Sequence, residues 1–238
     1  MAGASAVINL AGESIAGVWT SAKRRRIIES RVAAGNVLAA AIEESGASPL
    51  LVQASAIGFY GDRGGEELHE ASSKGEGFLS DVAEAWETAT VPVVARGIRR
   101  VVVRLGVVLG PGGFMQRVVP AFRASLGARL GSGNQWLSWV HRNDVVHAIE
   151  FLMERQDLAG VFNVVAPEPV TNGEFTHALA AHVHRPALLT LPAPLLRLGG
   201  AMPREVLLAS TRASPHRLLA AGFTFDYSNI RIALAGLC

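Results

Sequence analysis

Short, wholly apolar runs alternate along this chain with longer stretches whose apolar positions recur every three or four residues. Ala6–Leu10 (AVINL), Leu50–Gln53 (LLVQ), Ile98–Leu109 (IRRVVVRLGVVL) and Gly160–Val165 (GVFNVV) are of the first kind. Such runs suit strands of a parallel sheet covered on both faces. Between the first two, Ile27, Ile28, Val32, Val37, Leu38, Ala41 and Ile42 keep helical spacing. Thr20 or Ser21 can cap this helix, which runs to about Glu44, and Gly46 and Pro49 end it. Phe78–Thr88 repeats the pattern, with Phe78, Val82 and Trp86 on one face. Strands alternating with helices predict right-handed crossovers and an α/β, doubly wound parallel sheet.

After the Gly110–Gly113 turn the pattern loosens. It predicts a helix over Met115–Leu126, a strand over Gln135–His141, and a helix over Val145–Arg155 capped by Asp144. A further helix runs from Thr171 or Asn172 to about Val183, with Glu174 near its start. Pro186–Pro194 reads as extended, and helices follow near Leu195–Leu208 and Pro215–Ala221.

The stretch Leu50–Asp62 (LLVQASAIGFYGD) organises the rest. Its strand ends in small residues, and ligands of open α/β sheets bind outside the carboxyl ends of the strands. Ser55 and Tyr60 are the hydroxyls in this stretch that can act on a ligand. The plainer alternative is that Ser55 satisfies a local backbone group and Tyr60 packs.

Composition narrows the picture. At 238 residues, half of them apolar, the chain has material for one large domain or two lobes. No apolar run reaches the roughly 18 residues of a membrane span, so no membrane partner is expected. A single cysteine, Cys238, excludes an intrachain disulfide and fits a reducing, cytoplasmic setting. The net charge is +2, and the one basic cluster, Lys23–Arg26, reads as a solvated helix face, not a nucleic-acid site. There are two lysines, Lys23 and Lys74, against twenty arginines. Phosphate-loop, zinc-helix, nucleophile-elbow and G-x-G-x-x-G motifs are all absent. The seven histidines are scattered, so no metal site is expected; His141 reads as a structural hydrogen-bonder.

Several motifs in fixed order carry a family resemblance: NLAG at Asn9–Gly12, SAIGFYG at Ser55–Gly61, RLGVVLGPGG at Arg104–Gly113, WVHRND at Trp139–Asp144 and GVFNVVAPEPVTN at Gly160–Asn172. WTSAKRRRIIESR, GFLSDVAEAWE, LGSGNQWLSW and RLLAAGFTFDY extend it across the chain. The chain resembles the atypical, epimerase-family branch of the extended short-chain dehydrogenase/reductases. The resemblance implies a truncated Rossmann-like sheet with a smaller C-terminal substrate lobe. It divides the chain into a partial dinucleotide-binding domain over 1–165 and an α-rich domain over 166–238, with 114–140 joining the substrate lobe. It also implies an NADP cofactor, with NAD as the alternative. Leu10, Ala11, Gly12, Arg26, Arg31, Ser55 and Val108 would line it, and Ser55 and Tyr60 would be catalytic. For the two arginines the alternative is a solvated helix face. Gln135, Trp136 and Trp139 are candidate substrate contacts, though core packing suits both tryptophans.

Two departures qualify this. The family begins with a strand–glycine loop–helix unit and two more strands before NLAG. Without them the first strand is an unpaired edge, which predicts low stability alone or pairing with another chain, a homo-oligomer included. The family's acid/base pair, a tyrosine followed four residues later by a lysine, is also missing, since residue 64 is glycine and residue 231 arginine. The expected function is therefore an NAD(P)-binding oxidoreductase or epimerase acting on a small molecule. The alternatives are a non-catalytic nucleotide sensor and an inactive truncated form.

Overall fold

The computed structural model describes residues 3–237; Cys238 lies outside them. The chain opens with β1 (Ala6–Asn9), α1 (Ser21–Ser45) and β2 (Leu50–Ala56), followed by a 3-10 turn over Ile57–Tyr60, then β3 (Glu67–Leu68) and α2 (Phe78–Thr88). Next come β4 (Arg100–Leu105), β5 (Val107–Leu109), α3 (Gly113–Arg123), β6 (Ala128–Leu130), β7 (Trp136–Leu137) and β8 (Trp139–His141). They are followed by α4 (Arg142–Glu154), β9 (Gly160–Val164), β10 (Val170–Thr171), α5 (Asn172–His182) and β11 (Leu189–Leu191). The chain closes with α6 (Ala193–Arg197), α7 (Ala201–Val206), β12 (Arg212–Ala213), α8 (His216–Ala220) and α9 (Ile230–Ala235).

The main sheet is parallel and four-stranded, in the order β1-β2-β4-β9. Its strands are apolar because both faces are covered. Leu51 packs with Ile42 of α1 and with Val93 and Ile98. Leu50, Val52 and Ala54 join Val101, Val103, Phe162, Ile149 and Leu152 in the largest cluster. A second core holds the C-terminal lobe together around Trp139, Phe175, Leu179 and Leu234. Trp139 is therefore a core residue. Thr20 caps α1, accepting from the Lys23 amide, and Gly46 ends it in the left-handed region. Thr171 and Glu174 form a capping box on α5.

The two edges of the sheet differ. Arg217 donates to the carbonyls of Val161 (2.6 Å) and Ala159 (2.9 Å) along β9. Glu70 accepts from the Asn163 amide of the same strand (3.1 Å). Side chains thus satisfy the outer edge of β9. Among the described residues β1 pairs with β2 alone, and Ile8 on it is 44% exposed.

Four expectations change. The run Ile98–Leu109 is two strands in two sheets, since β5 leaves to pair with β8. The break falls at Gly106, where a Cβ would lie 2.8 Å from the Ser138 carbonyl and 2.9 Å from Val165. Gln135–His141 also divides, at Ser138, whose buried hydroxyl donates to Thr211 O and accepts from the Ala213 amide. Asp144 is not the cap of α4. His141 is, its Nδ1 accepting from the Asn143 amide (3.2 Å), while Asp144 lies buried in the first turn. Burial lowers the His141 pKa from its ordinary value. The stretch read as one helix near Leu195–Leu208 is two, broken at Gly199-Gly200, and α9 was not anticipated.

The backbone oxygen facing Gly106 is that of Ser138, between β7 and β8, and it is held in place by the Val107 amide (2.9 Å). Gly106→Ala should therefore destabilise by about 1–3 kcal/mol. Thermal unfolding would show this as a loss of roughly 2–4 °C in Tm per kcal/mol.

Candidate functional site

The parallel register fixes where the site lies. Asn9 pairs with Gln53, Ser55 with Arg104, and Arg104 with Asn163. Gly12, Ser55 and Val108 therefore lie at or just past the carboxyl ends of β1, β2 and β4, along one rim. Asn9 shapes the first part of it. Its side chain donates to Gln53 (2.9 Å) and accepts from the Ala11 amide (3.2 Å). Leu10, Ala11 and Gly12 follow, exposed.

The two arginines of α1 part ways. Arg26 is exposed. Arg31 folds back over the rim, donating to Glu13 O (3.0 Å) and Ile27 O (2.9 Å), with its guanidinium 4.7 Å from the Trp86 ring centre. A Cβ on Gly12 would stand 2.9 Å from that guanidinium carbon. Burial lowers the Arg31 pKa, and the nearby Glu13 charge opposes the change. Arg31 Nε and the Trp86 indole nitrogen are both buried donors without an acceptor. A buried donor left unpaired is costly, so this pair marks a place where an acceptor belongs.

Deeper under the rim lies a network that sequence reasoning missed. Arg104, 4% exposed, grips Glu87 of α2 with Nε (2.8 Å) and Nη2 (2.9 Å). The Ser55 hydroxyl donates to the same carboxylate (2.7 Å). Arg104 Nη1 donates to the Tyr60 hydroxyl (3.0 Å), which donates to Asn163 (2.8 Å). The Phe59 ring lies against the guanidinium, 3.5 Å from ring centre to Cζ. The structure thus joins Ser55 and Tyr60, but through Glu87 and Arg104, and both side chains are closed to solvent. Burial raises the Tyr60 pKa, while Arg104 and Asn163 pull it down without reversing the shift. Burial also works against the Arg104 charge, and Glu87 and Tyr60 outweigh it. The sequence signal for this network was present: a charged residue inside the most apolar strand needs a buried partner.

Val108 is half-buried against the main core, and Trp136 and Gln135 lie partly buried in the second lobe. One further cluster, Asp144, His147 and Asp226, brings its ligand atoms within 4.8 Å. Its groups already serve each other. Asp144 accepts from the Asp226 and Tyr227 amides, and His147 lies 3.1 Å from Asp226.

A parallel sheet whose strand ends converge on a polar rim defines the doubly wound, dinucleotide-binding class of α/β folds. The chain belongs to the NAD dependent epimerase/dehydratase family, which matches residues 1–165; residues 191–237 match a domain of unknown function, DUF1731. It is 42% identical over 232 residues to an epimerase family protein of Mycobacterium bovis, Mb2239, covering 96% of this chain and 77% of that one. To the epimerase family protein YfhF of Bacillus subtilis it is 35% identical, covering 97% of this chain and 77% of the other. The crystal structure of the human epimerase family protein SDR39U1 (isoform 2) with NADPH superposes with a TM-score of 0.92 at 30% identity, covering 100% of this chain and 82% of that one. A nucleoside-diphosphate sugar epimerase from Corynebacterium glutamicum superposes with a TM-score of 0.80 at 32% identity, covering 99% of this chain and 46% of that one.

Glu87→Gln should be severe, because it leaves the Arg104 charge buried and under-paired, a loss of about 3–5 kcal/mol. Urea unfolding should show Glu87→Leu/Arg104→Met as the milder lesion. Alkaline pH offers a second measurement. Tyr60 keeps its proton in the fold above the ordinary value of 10.0, so its contribution is intact below that pH and is lost as the pH rises through the folded pKa. Tyr60→Phe should flatten the fall of the urea midpoint on the alkaline side of pH 10.0.

Proposed function

We propose that the chain binds a nicotinamide dinucleotide, NADP in preference to NAD, and acts as an oxidoreductase or epimerase on a small molecule held between the main sheet and the C-terminal lobe. The observation that carries this reading is the rim itself, with exposed Leu10, Ala11 and Gly12 beside two buried donors that lack an acceptor. The residues fit the group. Gly12 presents bare backbone, Arg31 supplies positive charge beside it, and a phosphate oxygen would give Arg31 Nε its missing partner. Arg26 adds charge from the exposed face of α1. Ser55 and Val108 would flank the nicotinamide end, which when bound supplies hydride transfer. In this reading Ser55 lies beneath the reacting atoms with its hydroxyl held by Glu87, and acts on them once that hydroxyl is uncovered. Tyr60, sealed and protonated, is a positioning residue that holds Arg104. A cytoplasmic setting belongs to the same proposal.

The absence of a Tyr-x-x-x-Lys pair, together with the raised pKa of the enclosed Tyr60, favours a second reading, a nucleotide sensor without turnover. Turnover abolished by Ser55→Ala would overturn it.

Fluorescence titration with NADPH and NADH tests the first reading. Saturable binding, tighter for NADPH and weakened about tenfold by Arg31→Ala, is expected, a loss of about 1.4 kcal/mol. Absence of saturable binding by either nucleotide would overturn the proposal.

A further inference from the structure

The segment between β11 and β12 is held to the body in an unusual way. Neither α6 nor α7 buries a residue. Leu195 is 55% exposed and Leu198 83%. A segment with so little apolar burial belongs to the low-stability end of a structure. Its two ends, by contrast, are firm. At one end β11 pairs with β6, and the Gly131 amide donates to Leu191 O (2.9 Å). At the other, buried Ser210 donates from its amide to Asp62 (3.2 Å) and from its hydroxyl to Gly64 O (2.6 Å), and it accepts from the Trp136 amide (3.0 Å). Gly199-Gly200 articulates the middle, with Gly200 at φ +86°.

Between these anchors, a charged contact ties the segment to α2. The α2 cap, Gly77, has no side chain to offer the first turn. A carboxylate oxygen of Glu205, from α7, accepts from the Leu79 amide of that turn (2.9 Å). The site suits a carboxylate, since helix amides without an intrahelical partner and the positive end of the helix dipole coincide there. Gly77, at φ +106°, lets the carboxylate approach, for a Cβ there would lie 3.1 Å from it. The other tie is neutral, from Gln135 to Leu207 O (3.1 Å).

Beneath the segment is a cavity of about 360 Å³, walled on the body side by Gly58, Gly61, Ser80 and Thr211 and on the segment side by Arg204 and Glu205. Gly58 belongs to the 3-10 turn that follows β2 and Gly61 to its end, so the cavity lies beyond the carboxyl end of that strand.

We propose that residues 192–209 form a hinged flap over one side of this cavity, latched by Glu205 on the first turn of α2. It rests on the reading above only in taking the space between the lobes as the place where substrate enters. Held down, the flap carries Arg204 and Glu205 against whatever the cavity holds. Opening requires release of the Glu205 carboxylate and of the Gln135 amide, and exposes no fully buried residue of α6 or α7.

The latch is tested without any ligand. In a Cys238→Ser, Thr211→Cys background, the rate of maleimide labelling reports access to the cavity. Glu205→Ala should raise that rate about tenfold, and Glu205→Gln, which keeps an acceptor but loses the charge, should fall between, a tenfold change being about 1.4 kcal/mol in the opening equilibrium. Amide exchange of the 193–208 peptide should accelerate in step, with β2 and β4 unchanged. Labelling and exchange equal to those of the parent, or accelerated across the whole chain, would overturn the latch. Failure to bind NADPH would leave both readouts as they are, so the two proposals fail separately.

Discussion

A guanidinium in the second half of a buried central strand is the constraint around which this molecule is arranged. Arg104 lies in β4, between β2 and β9, where water cannot reach it. A charge there is tolerable only with an opposite charge and a full set of hydrogen-bond partners. Glu87 supplies the charge, and this fixes the end of α2 against the sheet. Ser55 and Tyr60 complete the set, fixing the end of β2 and the turn after it. Asn163 extends the connection to β9. One side chain thus ties together every strand of the sheet except β1, at the end where a ligand would approach.

The same constraint explains what was legible in the sequence. Strands β1, β2 and β9, helices α1, α2 and α5 and the stop at Gly46 were readable, because local periodicity and capping chemistry decide them; the N-caps were narrowed to Thr20 or Ser21 and Thr171 or Asn172, and the structure selects Thr20 and Thr171. Their agreement with the tertiary structure reflects a chain whose local and global preferences coincide. Gly106 and Ser138 were not readable as breaks. What divides the strands there is a carbonyl and a backbone loop brought in from elsewhere in the chain. Asp144 misled for a related reason. It has the chemistry of a cap, but it serves amides eighty residues downstream at Asp226 and Tyr227.

The candidate site divides along the same line. Ser55 stands at the end of β2 beside Arg104 because parallel strands align their carboxyl ends, which alternation of strands and helices already implies; Gly12 and Val108 lie a few residues past the ends of β1 and β4. That Tyr60 is enclosed, and that its hydroxyl is shared by Arg104 and Asn163, depends on partners more than forty residues away in sequence. Arg31 shows the same limit. Its spacing from Arg26 put two cations on one helix, yet contacts with Glu13, Trp86 and Gly12 draw only one of them onto the rim.

The unequal margins of the sheet have a consequence of their own. Arg217 and Glu70 occupy the hydrogen-bonding groups along β9, so a foreign strand arriving there would first have to displace a guanidinium and a carboxylate. Among the described residues β1 carries no side-chain hydrogen bonds of this kind, so the two margins differ: the one at β9 is guarded by its own side chains, and the one beside Asn9 and the turn into Gly12 is not.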